Sequence, residues 1–494
     1  GTCAWSAGTE LTLAPATDFF YGEFISVMLT KDILALSGEV LTHGYQFGFW
    51  TKTLPGSMLV EEVEVIEMRT PEETFIQCYG AYAGDINNDE FSDLVVVNEF
   101  AEDIRILIND GTGHFGNWTL QTLPGSTKPS TNEGADFNHD GEIDLALGST
   151  QGPEVSILMG NGDGTFQQEV IYNSHEGVRG LAIIDMDCDG WADFATANRT
   201  GDDVGFFINN QDGTFATPYF METGSDKETA AMPADFNNDG IMDLAIGSYL
   251  GSDIMILTGD GEGNFTVTGT SSVNSNPWMI GVGDVNGDGK CDVVSANAGN
   301  ANMSVHLGNG IGGLGSPTYY STGAFPLAID LGDLDGDGDL DMISSNYSGK
   351  DFTLYENDGT GLFINPITYD ADGAGSCALF HDRNNDGVMD LTGIDEISDL
   401  VFLYENSTPT AIGSVEMPVG LRVFPNPSEG TFWLENLSEV ISSYTIRDIS
   451  GKLLAQGQLL VGQKLQLDVD LPAQVLLVEL AQDGVVYRDR LIVR

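Results

Sequence analysis

The chain has 494 residues, of which 75 are acidic and 18 are basic, so its formal net charge is −57. A surface this negative repels nucleic acid and anionic membranes, because binding to either requires clustered lysine and arginine. Hydrophobic residues make up 41% of the chain, which is enough for a buried core, and no apolar run is long enough to predict a transmembrane segment.

The N-terminal part contains short strand-like runs at 23–29, 32–38 and 46–57. The run at 46–57 is similar to residues 114–126, so we interpret residues 1–57 as a degenerate copy of the unit that follows, with closing strands. Residues 58–76 have no counterpart in the later units, and we predict that they form an insertion.

A nine-residue pattern, Asp-x-[Asp/Asn]-x-Asp-Gly-x-x-Asp, occurs seven times, with Glu90 in place of the glycine in the first copy. Short β-branched runs and Asn-Gly or Asp-Gly turns follow each copy in the same order, which predicts four antiparallel strands per unit. Units that repeat with a fixed period of about 49 residues indicate an all-β propeller, here over residues 77–406. The copies begin at Asp85, Asp136, Asp185, Asp235, Asp284, Asp333 and Asp382.

The sequence leaves two possible numbers of blades, seven and eight. Without the insertion, residues 1–410 contain about eight units, of which seven carry the nine-residue pattern. This length favours an eight-bladed ring slightly over a seven-bladed ring that an N-terminal strand closes.

Each copy of the pattern predicts a calcium site. A hard cation needs several oxygen ligands in a tight loop, which side chains at positions one, three, five and nine and the carbonyl group at position seven can supply. The predicted side-chain ligands are Asp85, Asn87, Asp89, Asp93, Asp136, Asn138, Asp140, Asp144, Asp185, Asp187, Asp189, Asp193, Asp235, Asn237, Asp239, Asp243, Asp284, Asn286, Asp288, Asp292, Asp333, Asp335, Asp337, Asp341, Asp382, Asn384, Asp386 and Asp390. The predicted carbonyl ligands are Phe91, Glu142, Trp191, Ile241, Lys290, Asp339 and Val388.

The loops differ in their expected strength. The third and sixth loops have carboxylates at all four side-chain ligand positions, whereas Glu90 disfavours the turn of the first loop. Strand-like flanks and the absence of glutamate at position twelve exclude an EF-hand. We expect up to seven Ca²⁺ ions, and we expect them to stabilise the fold because the carboxylates of an empty loop repel one another.

Residues 421–494 form a separate region. They carry 9 acids and 7 bases, a net charge of −2, and residues 407–420 resemble a linker. Short strand-like runs predict a small β-sandwich domain.

The seven loops and their strands resemble the FG-GAP/VCBS repeat family, whose propeller also occurs in integrin α subunits. The resemblance covers residues 77–406 and implies a calcium-binding extracellular propeller. In that family such propellers serve adhesion or carbohydrate recognition, and occasionally carry an enzyme that acts on polysaccharides.

The C-terminal region resembles the type A sorting domain of the bacterial type IX secretion system. The resemblance rests on Phe424-Pro425-Asn426-Pro427, on the segment around Gly451 and on the final Leu-Ile-Val-Arg, while Gln474 and Leu476 depart from the family pattern. It implies that residues 421–494 bind an outer-membrane translocon and its sorting machinery. The protein would then be secreted and attached to the outer-membrane surface.

No motif for a catalytic nucleophile, a zinc protease or a phosphate loop is present, so we favour a binding or adhesion module for a glycan or protein over an enzyme. The alternative is a calcium-propeller polysaccharide lyase or hydrolase, for which only His175 and Arg179 give a hint. His139 and His381 flank loop ligands and are expected to be solvated. The face opposite the loops carries the candidate ligand-binding residues Arg179, Arg199, Tyr249, Trp278, Phe325 and Tyr347.

Overall fold

The structure is a computed structural model that describes residues 2–6, 10–15, 19–31, 33, 39–41, 43–406, 421–424, 431–436, 442–448, 453–468, 474–482 and 485–493. It divides into two compact units, Gly1–Ser407 and Thr408–Arg494. Regular secondary structure in the described ranges consists of β-strands. No helix with the length and hydropathy needed to cross a membrane occurs among these residues.

Seven four-stranded antiparallel sheets form the blades of a propeller, numbered 1 to 7 in chain order. The first strands are Cys78–Gly84, Pro129–Ala135, Val178–Ile184, Glu228–Ala234, Pro277–Gly283, Pro326–Gly332 and Gly375–His381. The second strands are Asp93–Asn98, Asp144–Ser149, Asp193–Asn198, Asp243–Ser248, Asp292–Asn297, Asp341–Asn346 and Asp390–Asp395. The third strands are Asp103–Leu107, Glu154–Leu158, Asp203–Phe207, Asp253–Gly259, Asn302–His306, Asp351–Asn357 and Leu400–Glu405. The fourth strands of blades 1 to 6 are Thr119–Thr122, Val170–Asn173, Tyr219–Met221, Phe265–Ser272, Thr318–Ser321 and Phe363–Asp370.

The fourth strand of blade 7 comes from the N-terminal part of the chain. Glu61–Glu67, the closing strand, pairs antiparallel with Leu400–Glu405, and Val65 lies opposite Phe402. The predicted insertion at 58–76 therefore contains part of the ring. The closing strand completes blade 7 through backbone hydrogen bonds and leads on to blade 1, so no blade is left with three strands.

The prediction that eight blades are favoured is wrong, because the described residues before the closing strand add no further four-stranded sheet. Thr2–Ser6 pairs only with Glu10–Ala14, and Phe24–Leu29 pairs only with Tyr45–Trp50. The run at 46–57 is similar in sequence to a fourth strand, but its first half forms this two-stranded hairpin. The predicted linker at 407–420 lies outside the described residues, as do Pro425, Asn426 and Pro427.

The core lies between neighbouring blades. Every residue of the seven second strands is buried, because each blade packs one face on the blade before it and the other on the blade after it. One cluster, for example, joins Ile184 and Phe206 of blade 3 to Leu244 and Leu257 of blade 4. Each blade thus buries its apolar surface only against its neighbours.

The second unit contains two antiparallel sheets. The three-stranded sheet consists of Leu421–Phe424, Thr431–Asn436 and Lys464–Asp468, and the four-stranded sheet of Leu453–Leu459, Ser442–Asp448, Gln474–Gln482 and Val485–Val493. One hydrophobic cluster takes side chains from both sheets, including Phe432, Leu434, Ile446 and Val478.

Candidate functional site

The connections between strands place two different sets of residues at the two ends of the ring. The seven nine-residue loops join the first and second strands of each blade, so they lie at the same end as the turns between third and fourth strands. The connections between second and third strands lie at the opposite end, together with the connections from one blade to the next. We call the end with the nine-residue loops the loop end, and the opposite end the ligand end.

Each loop is held by hydrogen bonds from its backbone amides to its own aspartates. In the third loop, Asp185 accepts hydrogen bonds from the amides of Asp189 (3.1 Å) and Gly190 (2.8 Å). Asp193 accepts one from Met186 (2.9 Å) and one from Asn209 (2.7 Å), which lies in the turn between the third and fourth strands. The aspartate at position nine therefore ties the loop to that turn, and it is buried in all seven loops.

The glycine at position six of the pattern allows a backbone conformation with positive φ, and the first loop adopts the same conformation although it has Glu90 there. Position six has a positive φ in every loop, between 78° and 101° for the six glycines and 72° for Glu90. A residue with a Cβ atom in this region is strained by about 1–2 kcal/mol relative to glycine. The first loop thus keeps the common shape at an energetic cost.

Two of the loops bring three carboxylates close enough to hold one cation. The carboxylate oxygens of Asp185, Asp187 and Asp193 lie within 4.8 Å of one another, and so do those of Asp333, Asp335 and Asp337. These are the third and sixth loops, which have aspartate at position three. In the first, second and fourth loops position three is asparagine, and its Nδ2 donates a hydrogen bond to the aspartate at position five instead.

The third and sixth loops also contain oxygens that lack a partner. Oδ1 of Asp187 and Oδ1 of Asp339 are buried and accept no hydrogen bond within the described part of the chain. Burial raises the pKa of Asp193 to about 8, and it does the same for Asp341. Buried oxygens without donors and carboxylates that resist ionisation fit a site that a hard cation completes.

Part of the N-terminal segment lies against the loop end. The hydroxyl group of Thr53 donates a hydrogen bond to Oδ2 of Asp333 (2.7 Å), and the amide of Leu54 donates to the carbonyl oxygen of Gly387 (2.7 Å). The amide of Gly56 donates to the carbonyl oxygen of Asp335 (2.8 Å). This segment leads directly into the closing strand, so the sixth and seventh loops help to position it.

The two histidines beside the loops have different environments. His139 is exposed and stacks on Trp191 with ring centroids 3.8 Å apart. His381 is buried between Ser92 (3.1 Å) and Thr392 (2.8 Å), and burial lowers its pKa to about 3. The expectation that His381 is solvated is therefore wrong.

The ligand end is built from two rings of residues that share their repeat positions. Each first strand has a β-bulge at its second residue, and a bulge redirects a side chain. These bulge residues, the inner ring, are Tyr79, Ser130, Arg179, Thr229, Trp278, Leu327 and Ser376. The first residues after the second strands, the outer ring, are Glu99, Thr150, Arg199, Tyr249, Ala298, Tyr347 and Glu396.

The loop aspartates repeat in every blade, whereas the side chains of the two rings differ from blade to blade. The backbone around the outer ring nevertheless repeats, because each outer-ring amide donates a hydrogen bond to the chain segment just before its own blade. Side chains that change on a constant backbone are free to make a specific surface.

All six predicted ligand-binding residues meet at this end, together with Tyr79. Trp278 is central, because its Nε1 donates a hydrogen bond to the hydroxyl group of Tyr79 (2.8 Å) and its ring packs on Tyr249 and Phe325. The guanidinium group of Arg179 lies 5.4 Å from the Trp278 ring centroid, and that of Arg199 lies 5.1 Å from it. We call this set the aromatic–arginine cluster: Tyr79, Arg179, Arg199, Tyr249, Trp278, Phe325 and Tyr347.

Two buried carboxylates border the cluster. Glu99 accepts a hydrogen bond from Arg179 (3.1 Å), and Nε2 of Gln77 donates to both Glu99 and Glu396 at 2.9 Å. Burial raises the pKa of Glu396 to about 7. Arg179 of blade 3, Glu99 of blade 1 and Glu396 of blade 7 are therefore linked in one polar network beside the cluster.

Sequence reasoning missed Tyr79, although a signal for it exists. Tyr79 lies six residues before the first aspartate of its loop, as Arg179 and Trp278 do in theirs. Aligning the repeats on their loops would have shown that the three residues share one position.

His175, which the sequence analysis named for the enzymatic alternative, makes its contacts elsewhere. His175 forms a short hydrogen bond with Asp203 and stacks on Phe220 with ring centroids 3.7 Å apart. These contacts anchor its ring beside the third strand of blade 3. They do not include a member of the aromatic–arginine cluster.

The comparison with protein families matches the repeats directly. The family described as FG-GAP-like repeat matches residues 85–147, 136–196, 185–246, 235–295, 284–344 and 333–392, which together span more than half of the chain. The chain belongs to the FG-GAP-like repeat family. No curated protein sequence matches it.

One solved structure resembles the fold of the ring at low sequence identity, and further solved structures match with lower TM-scores. BBS1N, in its complex with ARL6DN, is 9% identical with a TM-score of 0.50, and the match covers 70% of this chain and 96% of BBS1N. A lectin from Agrocybe aegerita, described as recognising non-reducing terminal N-acetylglucosamine, is 18% identical with a TM-score of 0.45, covering 65% of this chain and 87% of the lectin. A Desulfotomaculum acetoxidans protein is 11% identical with a TM-score of 0.40, covering 76% of this chain and 99% of that protein.

Proposed function

We propose that the protein is a secreted, cell-surface binding module whose ring is stabilised by Ca²⁺ and whose aromatic–arginine cluster binds a glycan or protein ligand. The observation that carries this proposal is the convergence of aromatic and arginine side chains from blades 1, 3, 4, 5 and 6 at one end of the ring. Partly exposed aromatic residues and arginine are the residue types that contribute most binding energy at interfaces.

Calcium is the cation that the loops favour. Their donors are carboxylate, amide and carbonyl oxygens, which suit a hard cation with flexible coordination, and Mg²⁺ demands a more rigid octahedron. The three-carboxylate groups of the third and sixth loops are the best candidates for tight sites. In this role the ions stabilise the ring and take no part in ligand binding, because they lie at its opposite end.

Binding is tested by a pair of tyrosine substitutions. Tyr347 belongs to the cluster, whereas Tyr319 is an exposed tyrosine on a fourth strand. On an array of immobilised glycans and surface proteins, we expect Tyr347→Ala to weaken binding by about tenfold, since removing an aromatic contact residue that contributes strongly to an interface costs more than about 1 kcal/mol. Tyr319→Ala should bind as the unchanged protein does.

Equal binding by both variants would contradict a ligand site at this end. Incubation of the bound glycans with the unchanged protein tests the enzymatic alternative at the same time. New reducing ends or unsaturated sugars among the products would favour a polysaccharide lyase or hydrolase.

Export through residues 421–494 is part of the same proposal, and it rests on the resemblance of this segment to type IX sorting domains. Deletion of residues 408–494, the second compact unit, is expected to leave a folded ring inside the cell, because the chain divides at this boundary. Fractionation of cells and thermal unfolding of the purified ring are the measurements. Surface display of the shortened chain would refute this role for the segment.

A further inference from the structure

Arg199 has aromatic neighbours but no ion pair with an acid among the residues that the structure describes. Its guanidinium group lies 4.7 Å from the ring centroid of Tyr249 and 5.1 Å from that of Trp278. Its Nε is buried and has no hydrogen-bond partner among the residues that the structure describes. The residue as a whole is only partly buried, so a ligand can reach its guanidinium group. An unpaired guanidinium group is unexpected in a chain with 75 acidic residues.

The neighbouring Arg179 shows the usual arrangement. Its Nη1 donates hydrogen bonds to Glu99 (3.1 Å) and to the hydroxyl group of Ser130 (3.2 Å). Arg179 is therefore neutralised within the ring and Arg199 is not. Burial, and then the positive charge of Arg179, lower the pKa of Arg199, so these surroundings oppose its charge.

The acids that follow Arg199 in sequence have other partners. Asp202 accepts a hydrogen bond from the amide of Lys227 (2.7 Å). Asp203 accepts one from Nδ2 of Asn198 (2.8 Å) and also pairs with His175. Both carboxylates are committed to holding the connections of blades 3 and 4. Within the described residues neither acid is an ion-pair partner of Arg199, so the carboxylate of a ligand can take that place.

The surroundings of Arg199 indicate which anionic group can bind to it. The N–H groups of a guanidinium group lie in its plane, whereas aromatic rings contact its faces. The rings of Tyr249 and Trp278 stand at 86° to each other, so the guanidinium group can lie flat on only one of them. No hydrogen bond within the described residues uses its Nε donor, and a carboxylate matches two parallel N–H groups. We propose that Arg199 binds the carboxylate of a uronic acid, and that the ligand of the aromatic–arginine cluster is a glycan that contains this sugar.

This inference rests on the proposed ligand site and specifies its ligand. Next to Arg199, the rings of Trp278 and Phe325 lie 5.9 Å apart at 55°, and those of Phe325 and Tyr347 lie 6.1 Å apart at 64°. Partly exposed tilted rings offer apolar surface to the C–H groups of a sugar that presents its carboxylate to Arg199. The net charge of −57 repels a densely charged polyanion, so the expected ligand has single carboxylates in an otherwise neutral chain.

Two disaccharides that differ in one group test the proposal. One ends in glucuronic acid at its non-reducing end, and the other has glucose there, so that only a carboxylate and a hydroxymethyl group differ. Titration of the full-length protein, followed by calorimetry or NMR, should show affinity for the acid that is about tenfold higher, the gain of a charge-assisted hydrogen-bonded pair. Equal affinities would overturn the proposal.

Substitutions assign the effect to Arg199. Arg199→Gln should remove the preference for the acid, and Arg199→Lys should restore only part of it, because lysine keeps the charge and loses the paired donors. The control is Lys350→Gln, which removes one exposed positive charge from the same end of the ring. It should leave the preference unchanged, and an equal loss in this variant would show that only general electrostatic attraction is involved.

The outcomes separate this inference from the proposed function. If Arg199→Gln still prefers the acid while Tyr347→Ala loses binding, the ligand site stands and the role of Arg199 is wrong. If neither disaccharide binds and a peptide with a C-terminal carboxylate does, the ligand is a protein and the uronic acid is refuted. Thermal unfolding of each variant checks that the ring is intact.

Discussion

Removal of Ca²⁺ with EGTA is expected to lower the melting temperature of the protein by about ten degrees or more. The reason is the charge that the loop end concentrates. Each loop contains three to five carboxylates, and in the third and sixth loops buried oxygens have no donor within the described residues. A bound cation cancels this repulsion only in the folded state, so its binding energy adds to the free energy of unfolding.

The pH dependence of melting provides a second signature. Burial raises the pKa of Asp193 and Asp341 to about 8, well above the value of about 4 in an unfolded chain. A carboxyl group with a raised pKa favours the folded state when protonated, so stability is lost as the pH rises from about 4 to about 8. In EGTA the melting temperature should therefore rise on acidification from pH 8 to pH 6.

With Ca²⁺ bound, protons compete with the cation, and the same acidification should not stabilise the protein. Differential scanning calorimetry at both pH values, with Ca²⁺, Mg²⁺ or EGTA, measures these effects. Identical melting curves in Ca²⁺ and EGTA would refute stabilisation by the cation, and full rescue by Mg²⁺ would refute the preference for Ca²⁺.

Deletion of residues 1–69 is expected to open the ring and to lower the melting temperature by about ten degrees or more. This deletion removes the closing strand, which leaves blade 7 with three strands and uncovers the edge of Leu400–Glu405. It also removes Ile66 and Met68 from the core between blades 7 and 1. The exposed edge should make the shortened ring self-associate.

The control is the deletion of residues 408–494, which removes more residues and leaves the seven blades complete. A synthetic peptide of residues 59–69, added to the ring that lacks its N-terminal part, should restore part of the lost stability by occupying the open edge. Sedimentation and thermal melting follow both effects. A monomeric ring with unchanged melting temperature after the N-terminal deletion would show that the closing strand is dispensable.

The loops could be predicted from sequence because each is a local structure. All of its predicted side-chain ligands lie within nine residues, and seven copies in the same register mark where each loop begins and ends. The sequence did not reveal which loops leave oxygens without partners, because this depends on contacts with distant residues. Oδ2 of Asp333, for example, accepts a hydrogen bond from Thr53, which no pattern within the loop could indicate.

The closing strand could not be predicted in the same way. Residues 61–67 read Glu-Glu-Val-Glu-Val-Ile-Glu, without the turn residues that mark strands elsewhere in the chain. Their partner, Leu400–Glu405, lies at the other end of the propeller sequence. Counting residues therefore suggested an insertion and an eighth blade, because length alone does not show which strands pair.

The ligand end could be predicted from sequence only in part. Connection topology was sufficient to place six of its residues on one face, and their contacts follow from repeat geometry. No single residue type marks the β-bulges that aim Tyr79, Arg179 and Trp278 toward one another, since six different types occupy that position in the seven blades. Only the structure shows that Tyr79 and Trp278 meet although blades 1 and 5 are not neighbours.

The four glutamates of the closing strand also bear on how the chain reaches its native state. Blades 1 to 6 pair strands that are close in sequence, so they can assemble progressively from the N-terminal side. The closing strand has to wait until Leu400–Glu405 exists, and an unpaired strand is a template for pairing with other molecules. Glu61, Glu62, Glu64 and Glu67 make the unpaired closing strand negatively charged. The closing strands of two incompletely folded chains therefore repel each other. The strand that completes the propeller thus carries its own protection against aggregation until its partner is made.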